Sequence, residues 1–109
     1  MDFNAARAYL LQRPEAVEDF PFGPDVYVYK VAGKLFATLG TAQGEGRMNL
    51  KCDPDEALFL RDTFKAVSPG HHMNKTHWNT VALDGSVPPG EIERMIDRSY
   101  ALVVSGLKK

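Results

Sequence analysis

The sequence predicts a single α+β domain over residues 1–109, with three helices packed on an antiparallel sheet of about five strands. The chain has 109 residues, of which 44% are hydrophobic and 25% charged, and this is the composition of one globular domain. β-branched and aromatic residues fill 26–31, which is typical of a strand. Near both ends of the chain, apolar residues recur every three or four positions, which is typical of amphipathic helices.

The first half of the chain predicts one helix and one hairpin. Asp2 is a suitable N-cap for a helix over 3–12, in which the apolar residues follow helical spacing. Residues 26–39 read as two strands joined by a tight turn at Ala32-Gly33. The three glycines within 40–46 predict a flexible connection to the next strand.

The second half predicts three strands and two helices. Residues 47–52 alternate, so Cys52 is expected on the buried face of a strand. Asp53 and Pro54 are typical of a helix start, and that helix is expected to end near residue 64. A second hairpin is expected over 71–83, followed by a helix over 89–106. The predicted order is therefore α-β-β-β-α-β-β-α.

Charge is balanced overall but unevenly distributed. The formal net charge is −1, which argues against a strongly basic nucleic-acid-binding protein. Residues 26–52 nevertheless carry four bases and one acid, and residues 63–83 carry two lysines, all three histidines and no acid. Residues 1–25 and 53–62 have a matching excess of acids. This segregation predicts a local positive face, unless the charges are scattered once the chain folds.

Cysteine content and hydropathy bear on the compartment. Cys52 is the only cysteine, so no internal disulfide is expected and a reducing cytoplasm fits the chain. No apolar run approaches the ~20 residues that a membrane span needs. The first ten residues lack a basic segment followed by an apolar block, so we expect no signal peptide. We also expect a monomer.

Three segments together resemble the MmcQ/YjbR family. They are Glu18-Asp19-Phe20-Pro21-Phe22-Gly23-Pro24-Asp25, Asn49-Leu50-Lys51-Cys52-Asp53-Pro54, and His72-Met73-Asn74-Lys75-Thr76-His77-Trp78-Asn79-Thr80-Val81. They occur in the family's order and spacing, and the resemblance covers essentially the whole chain. It implies an α+β fold similar in outline to the frataxin-like fold, described as a double-wing DNA-binding motif.

The resemblance also implies a function in DNA binding. If 26–39 and 71–83 project as wings, basic and amide side chains can line one sheet face, with Tyr27, Tyr29 and Trp78 between them. Binding to double-stranded DNA would then be weak and directed mainly at phosphates. The residues expected to contact DNA are Lys30, Lys34, Lys51, Lys75, Asn49, Asn74, His77 and Asn79.

Two segments allow a second interpretation. The polar run 74–80 is expected to be either a binding site for a small ligand or a protein partner, or a hydrogen-bonded turn. In the second case Trp78 is a buried anchor, and Asn79 or Thr80 joins a buried polar network. Phe20 and Phe22 are expected to fill the gap between helix and sheet, or else to line a small-molecule pocket beside Trp78.

The sequence predicts neither a catalytic centre nor a metal or cofactor site. Residues 63–83 hold the three histidines but no acid or cysteine that would complete a metal site. Cys52 alternates with apolar neighbours, and nothing near it in sequence lowers the pKa of its thiol as catalysis would require. The glycines at 40, 44 and 46 match no phosphate-binding loop. A non-enzymatic binding protein is therefore the favoured class.

Overall fold

A computed structural model describes residues 1–107, and within them three helices pack against one six-stranded antiparallel sheet. The helices are α1 (Phe3–Leu11), α2 (Pro54–Thr63) and α3 (Pro89–Gly106). The strands are β1 (Val17–Asp19), β2 (Tyr27–Val31), β3 (Lys34–Ala42), β4 (Glu45–Lys51), β5 (Val67–Pro69) and β6 (Trp78–Ala82). The strand order is β1-β2-β3-β4-β6-β5. The predicted α+β class is confirmed, with six strands in place of about five.

The three helices begin close to their predicted positions, but of the two predicted N-cap aspartates only Asp2 makes a capping hydrogen bond. The Asp2 carboxylate accepts a hydrogen bond of 2.8 Å from the backbone N–H of Ala5, as expected of an N-cap. Asp53 occupies the N-cap of α2 but makes no capping hydrogen bond. Its carboxylate lies instead 3.5 Å from the guanidinium of Arg98 on α3. No helix within residues 1–107 has the length and apolar character needed to cross a bilayer.

Two tight turns build the central three strands. Ala32 and Gly33 join β2 to β3 with φ of 50° and 78°, which is the pattern of a type I′ turn. Gln43 and Gly44 join β3 to β4 in the same way, with φ of 55° and 79°. The flexible connection predicted over 40–46 was therefore wrong, because both strands continue through this segment up to the two-residue turn.

The edges of the sheet also differ from the prediction. β5 lies at Val67–Pro69, and the segment 71–73, expected to be a strand, belongs to a loop. The sequence Ser68-Pro69-Gly70 reads as a break. An edge strand nevertheless tolerates proline, because the N–H that proline lacks would point away from the sheet and bond to no other strand. β1 was missed because its three residues, Val17–Asp19, include two acids and show no strand-like composition.

One face of the sheet is covered and the other is free of helices. Side chains between the sheet and the three helices form a single core, whose largest fully buried members are Tyr29, Phe36, Leu10, Leu39, Met48, Ile92 and Ile96. Strand register places alternate residues on the opposite side. We call that side the helix-free face; it includes Lys30, Thr38, Arg47, Asn49, Lys51, Ser68, Trp78, Thr80 and Ala82.

A buried serine ties α3 to the sheet where the ladder is interrupted. β3 contains one extra residue near Phe36, so its pairing with β2 shifts between Tyr29 and Lys30. The fully buried Ser99 hydroxyl donates to the Phe36 carbonyl at 2.5 Å and accepts from the Lys51 N–H at 2.9 Å. The hydroxyl satisfies backbone groups that would otherwise be buried without partners.

The positive φ at Ala32 gives a stability prediction. An alanine in the left-handed region is strained, whereas asparagine followed by glycine is the preferred type I′ pair. We expect Ala32→Asn to raise the free energy of unfolding by about 0.5–1 kcal/mol, measured by urea denaturation. Lys34→Asn, two residues further on in extended backbone, is the control and should bring no gain.

Candidate nucleic-acid interface

A row of small polar side chains crosses the helix-free face. Register aligns Thr38 on β3, Asn49 on β4, Thr80 on β6 and Ser68 on β5. Hydroxyl and amide groups of this kind bond to phosphate oxygens in protein–DNA complexes. The row is uncharged, and the charged residues lie on either side of it.

Two cations flank this row on β4. Arg47 and Lys51 precede and follow Asn49 by two residues, so all three side chains leave the same face of the strand. Arg47 is exposed and Lys51 is half-buried. Neither makes an ion pair with any residue in the range 1–107. Arg47 was not among the residues predicted to contact DNA, although the alternation of 47–52 could have identified it.

The loop 70–77 crosses over the end of this polar row. The His71 N–H donates to the Thr80 hydroxyl at 2.8 Å, and the Asn49 amide donates to the His71 carbonyl at 3.3 Å. The Thr80 hydroxyl in turn donates to the Asn49 side-chain oxygen at 2.5 Å. Thr80 is therefore buried although no helix covers it. These contacts hold the backbone of the loop against β4 and β6.

Gly70 allows this close approach. Its N–H donates to the Trp78 carbonyl at 2.9 Å. A Cβ at this position would lie 2.8 Å from the Trp78 Cβ and 3.0 Å from its carbonyl oxygen, which is too close for any side chain. The glycine is thus required by packing, and it allows the loop to turn directly beside β6.

The polar run 74–80 is largely bonded within the fold. The Asn74 side-chain oxygen accepts from the N–H groups of Thr76 and His77 at 2.9 and 3.1 Å. The Lys75 ammonium donates to the Gly70 carbonyl at 2.8 Å, although the residue is exposed. Asn74 therefore closes a turn, as the structural interpretation of this segment expected.

Asn79 lies on the opposite face and cannot contact DNA. It is 2% exposed, and its amide donates to the Ala57 carbonyl at 3.2 Å. Its side-chain oxygen accepts from Arg61 Nε at 2.7 Å. The prediction of Asn79 as a DNA contact was wrong, because register turns it toward α2 while its neighbours Trp78 and Thr80 turn away.

Arg61 is a residue that sequence reasoning missed. Beyond its bond to Asn79, its guanidinium donates to the carbonyls of Lys75 and Trp78. One side chain on α2 therefore holds both the turn and the start of β6. The only signal in the sequence was a single base within the acidic segment 53–62.

Of the three aromatic residues predicted to lie between the basic side chains, one faces the helix-free side. Tyr27 and Tyr29 face the helices, and Tyr29 is fully buried there. Trp78 does face the helix-free side, where it is half-buried and is not the fully buried anchor that the structural interpretation expected. Phe20 packs edge-on against Tyr27 and is 42% exposed, while Phe22 is 74% exposed. Phe22 therefore fills no gap between helix and sheet, because the loop carries it outward.

The remaining predicted contacts are spread around the edges. Lys30 lies on the helix-free face, with its ammonium 4.0 Å from the Asp19 carboxylate. Lys34 is exposed beside the β2–β3 turn. His77 is exposed, and its carbonyl accepts from the Cys52 N–H at 2.8 Å. Of the predicted set, Lys30, Asn49 and Lys51 thus lie on the helix-free face, together with Arg47, which was not predicted. Lys34, Asn74, Lys75 and His77 are exposed outside this group.

The helical side has the opposite electrostatic arrangement, because most of its arginines are neutralised. Arg7 makes a two-pronged pair with Glu18 at 2.8 and 2.9 Å, and the Glu18 pKa is lowered mainly by that hydrogen bond. Three further pairs join α3 to α2 or its N-cap: Arg94–Glu56, Arg98–Asp53 and Arg98–Glu56. Arg13, just after α1, pairs with Asp97 on α3, and Arg94 also pairs with Glu91 within α3. Of the helix arginines, Arg7, Arg94 and Arg98 are therefore paired with carboxylates, and Arg61 is bonded to neutral acceptors inside the fold.

Neither a metal centre nor a reactive thiol emerges within the described residues. The rings of His71 and His72 lie 4.0 Å apart, but residues 1–107 hold no group of three potential ligands. Burial raises the pKa of the Cys52 thiol to about 11, and the nearby Glu56 carboxylate contributes further. The thiol is therefore protonated at neutral pH. A cavity bordered by Cys52 and Asn79 measures only about 10 Å³, room for one water at most.

Comparison with known proteins identifies close relatives of the chain. A family model described as YjbR matches residues 11–102. Uncharacterised protein YbdF of Escherichia coli O157:H7 is 35% identical over 97% of this chain and 87% of its own length. Uncharacterised protein YjbR of Escherichia coli K12 is 34% identical over 96% of this chain and 89% of its own.

Solved structures show the same fold. Protein DR2400 of Deinococcus radiodurans, with a DUF419 domain, superposes with a TM-score of 0.85 at 34% identity, covering 92% of this chain and 76% of that one. A Pseudomonas syringae protein superposes with a TM-score of 0.82 at 28% identity, covering 94% of this chain and 98% of that one.

The buried amide of Asn79 gives a stability prediction. Asn79→Ala removes the partners of the Ala57 carbonyl and of Arg61 Nε, so we expect a loss of about 2–3 kcal/mol in urea denaturation. Asn74→Ala is the matched control, because Asn74 is exposed and its backbone partners can bond to water. Equal losses in the two variants would contradict the central role of Asn79.

The Cys52 thiol gives a pH prediction. Its pKa is raised in the folded chain, so the unfolded chain releases the proton first as pH increases above about 9. Stability is therefore lost between about pH 9 and 11, at up to about 1.4 kcal/mol per pH unit. The difference in unfolding free energy between the wild type and Cys52→Ala should shrink across this range in urea titrations. A constant difference would contradict the raised pKa.

Proposed function

The chain belongs to the YjbR family, and we propose that it binds double-stranded DNA weakly, mainly through phosphates, using its helix-free face. The observation that carries the proposal is the segregation of ion pairs. Arg7, Arg94 and Arg98 on the helices are held by carboxylates, and Arg61 on α2 is held by an amide oxygen and two carbonyls. Arg47 and Lys51 have no acidic partner within residues 1–107. Cations without carboxylate partners can neutralise phosphates and release their counterions.

Spacing on the sheet supports contacts to several phosphates. Arg47 and Lys51 are four residues apart on β4, which corresponds to roughly 13 Å along a strand. Lys30, whose ammonium lies 4.0 Å from the Asp19 carboxylate, is on β2, two strand positions from β4, which adds roughly 10 Å across the sheet. Thr38 and Ser68 supply hydroxyl groups between and beside these cations. The resulting surface suits a backbone that presents one charge per ~1.7 Å of duplex axis.

The same geometry argues for low affinity and little sequence preference. Acids on the helical side repel phosphates, so only one face of the molecule can approach DNA. That face presents no helix that could enter a major groove, and one predicted amide contact, Asn79, is buried. The Asn49 amide is already bonded to the His71 carbonyl. About three phosphate contacts imply a log–log salt slope of roughly −3. A cytoplasmic location, in contact with DNA, is part of the proposal.

Titration of fluorescent duplex DNA at several salt concentrations tests the proposal. We expect Arg47→Ala and Lys51→Ala each to weaken binding for every duplex sequence and to flatten the salt slope by about one unit. Arg98→Ala is the control, since it removes the same charge from the helical side and should leave the slope unchanged. Folding of each variant is checked by circular dichroism.

Two results would overturn the proposal. The first is the absence of saturable binding by folded wild-type protein at low salt. The second is an equal effect of Arg98→Ala and Arg47→Ala, because net charge and not the helix-free face would then govern binding.

A further inference from the structure

Helix α2 has apolar side chains on its outer as well as its inner side. Ala57 and Leu60 point inward and are buried in the molecule. Leu58 and Phe59 point outward and are 61% and 63% exposed. Neighbouring large apolar side chains left in water commonly mark an interaction site. The molecule offers no partner for this pair within residues 1–107.

Two carboxylates bracket the exposed pair. Their positions follow the i, i+3, i+4, i+7 spacing of a single helix stripe, which we call the α2 stripe: Asp55, Leu58, Phe59 and Asp62. Seven residues of helix separate the two carboxylates by roughly 10.5 Å along the axis. Neither carboxylate makes an ion pair in the described chain, whereas Glu56, on the inner side, is held by Arg94.

Asp62 is unfavourable for the helix that carries it. It lies in the last turn of α2, where the partial negative charge of the helix end opposes a carboxylate. Asp55 is different, because it lies in the first turn and complements the helix dipole. A local rule broken at an exposed position, beside exposed apolar side chains, is typical of a functional surface.

We propose that the α2 stripe binds a partner protein through an amphipathic helix that carries two apolar side chains between a pair of lysines or arginines. Cations about 10.5 Å apart would meet Asp55 and Asp62, while the apolar side chains pack on Leu58 and Phe59. The stripe lies on the helical side, so it stays accessible whatever occupies the helix-free face. The inference therefore does not depend on DNA binding.

Charge argues against a second copy of this chain as the occupant. An antiparallel two-fold contact between α2 helices would place Asp55 of one copy beside Asp62 of the other. Like charges then face each other at both ends of the contact, which disfavours it. A helix with two cations would instead place a positive charge beside each of the two carboxylates, so its charge is complementary to the α2 stripe.

A designed helical peptide tests the chemistry directly. The probe is an alanine-based peptide with two lysines seven residues apart and two leucines at the third and fourth positions after the first lysine. It is titrated into isotope-labelled full-length protein, and backbone amide shifts are followed by NMR. We expect saturable shifts confined to α2 and its immediate neighbours. A peptide with glutamates in place of the lysines should bind at least ~10-fold more weakly, since opposite charge is replaced by like charge.

Matched variants distinguish peptide binding at the α2 stripe from nonspecific binding to exposed apolar side chains elsewhere. Phe59→Ala should weaken peptide binding at least ~10-fold, whereas Phe22→Ala, which removes a similarly exposed ring elsewhere, should leave it unchanged. The double variant Asp55→Asn with Asp62→Asn should abolish the preference for the lysine peptide. Thermal melting of each variant checks that it is folded.

Three outcomes would overturn the inference. They are equal binding of the lysine and glutamate peptides, shifts centred outside α2, and a protein dimer in sedimentation equilibrium that Phe59→Ala dissociates. The last result would identify a second copy as the occupant. None of them bears on the DNA titration, so failure of either proposal can be recognised separately.

Discussion

The hydrogen bonds of the buried Asn79 side chain connect strand β6 to helix α2, and the loop before β6 depends on this connection. Its amide donates to α2 at the Ala57 carbonyl, and its oxygen accepts from Arg61. Arg61 then fixes the carbonyls of Lys75 and Trp78, which sets where the loop 70–77 ends and β6 begins. Because an unsatisfied buried amide or guanidinium is costly, these groups favour a single arrangement. The loop 70–77, which crosses the helix-free face, is thus positioned by hydrogen bonds made on the helical side of the sheet.

The two sides of the sheet differ in how their charges are used. On the helical side, arginines and carboxylates join α1, α2, α3 and β1 in pairs, so their charges contribute to packing between elements. On the helix-free side, Arg47 and Lys51 flank a row of neutral polar groups and pair with no acid in the described chain. A nearly neutral protein therefore presents a local basic surface together with an acidic, apolar stripe on α2.

Much of the fold followed from local patterns, and the errors share one cause. The hairpin at 26–39 and the three helices were predicted because propensity, caps and periodicity agreed there. Gly44 was read as part of a flexible segment, whereas it is the second residue of a two-residue turn at positive φ between paired strands. Ser68-Pro69-Gly70 was read as a break, yet Ser68 and Pro69 belong to an edge strand that pairs with β6. In each case, contacts with a neighbouring strand decided a conformation that local composition left ambiguous.

The sequence by itself determined the α+β class, the family, the positions of the helices and the alternation within each strand. It also determined that 26–52 and 63–83 carry excess base. Only the tertiary structure decided which side of each strand is covered, since alternation defines two faces without saying where a helix will pack. For this reason the Asn79 side chain is hydrogen-bonded inside the fold, against α2, and does not face solvent. That outcome depends on a helix distant in sequence, and no local pattern around Asn79 encodes the side on which α2 packs.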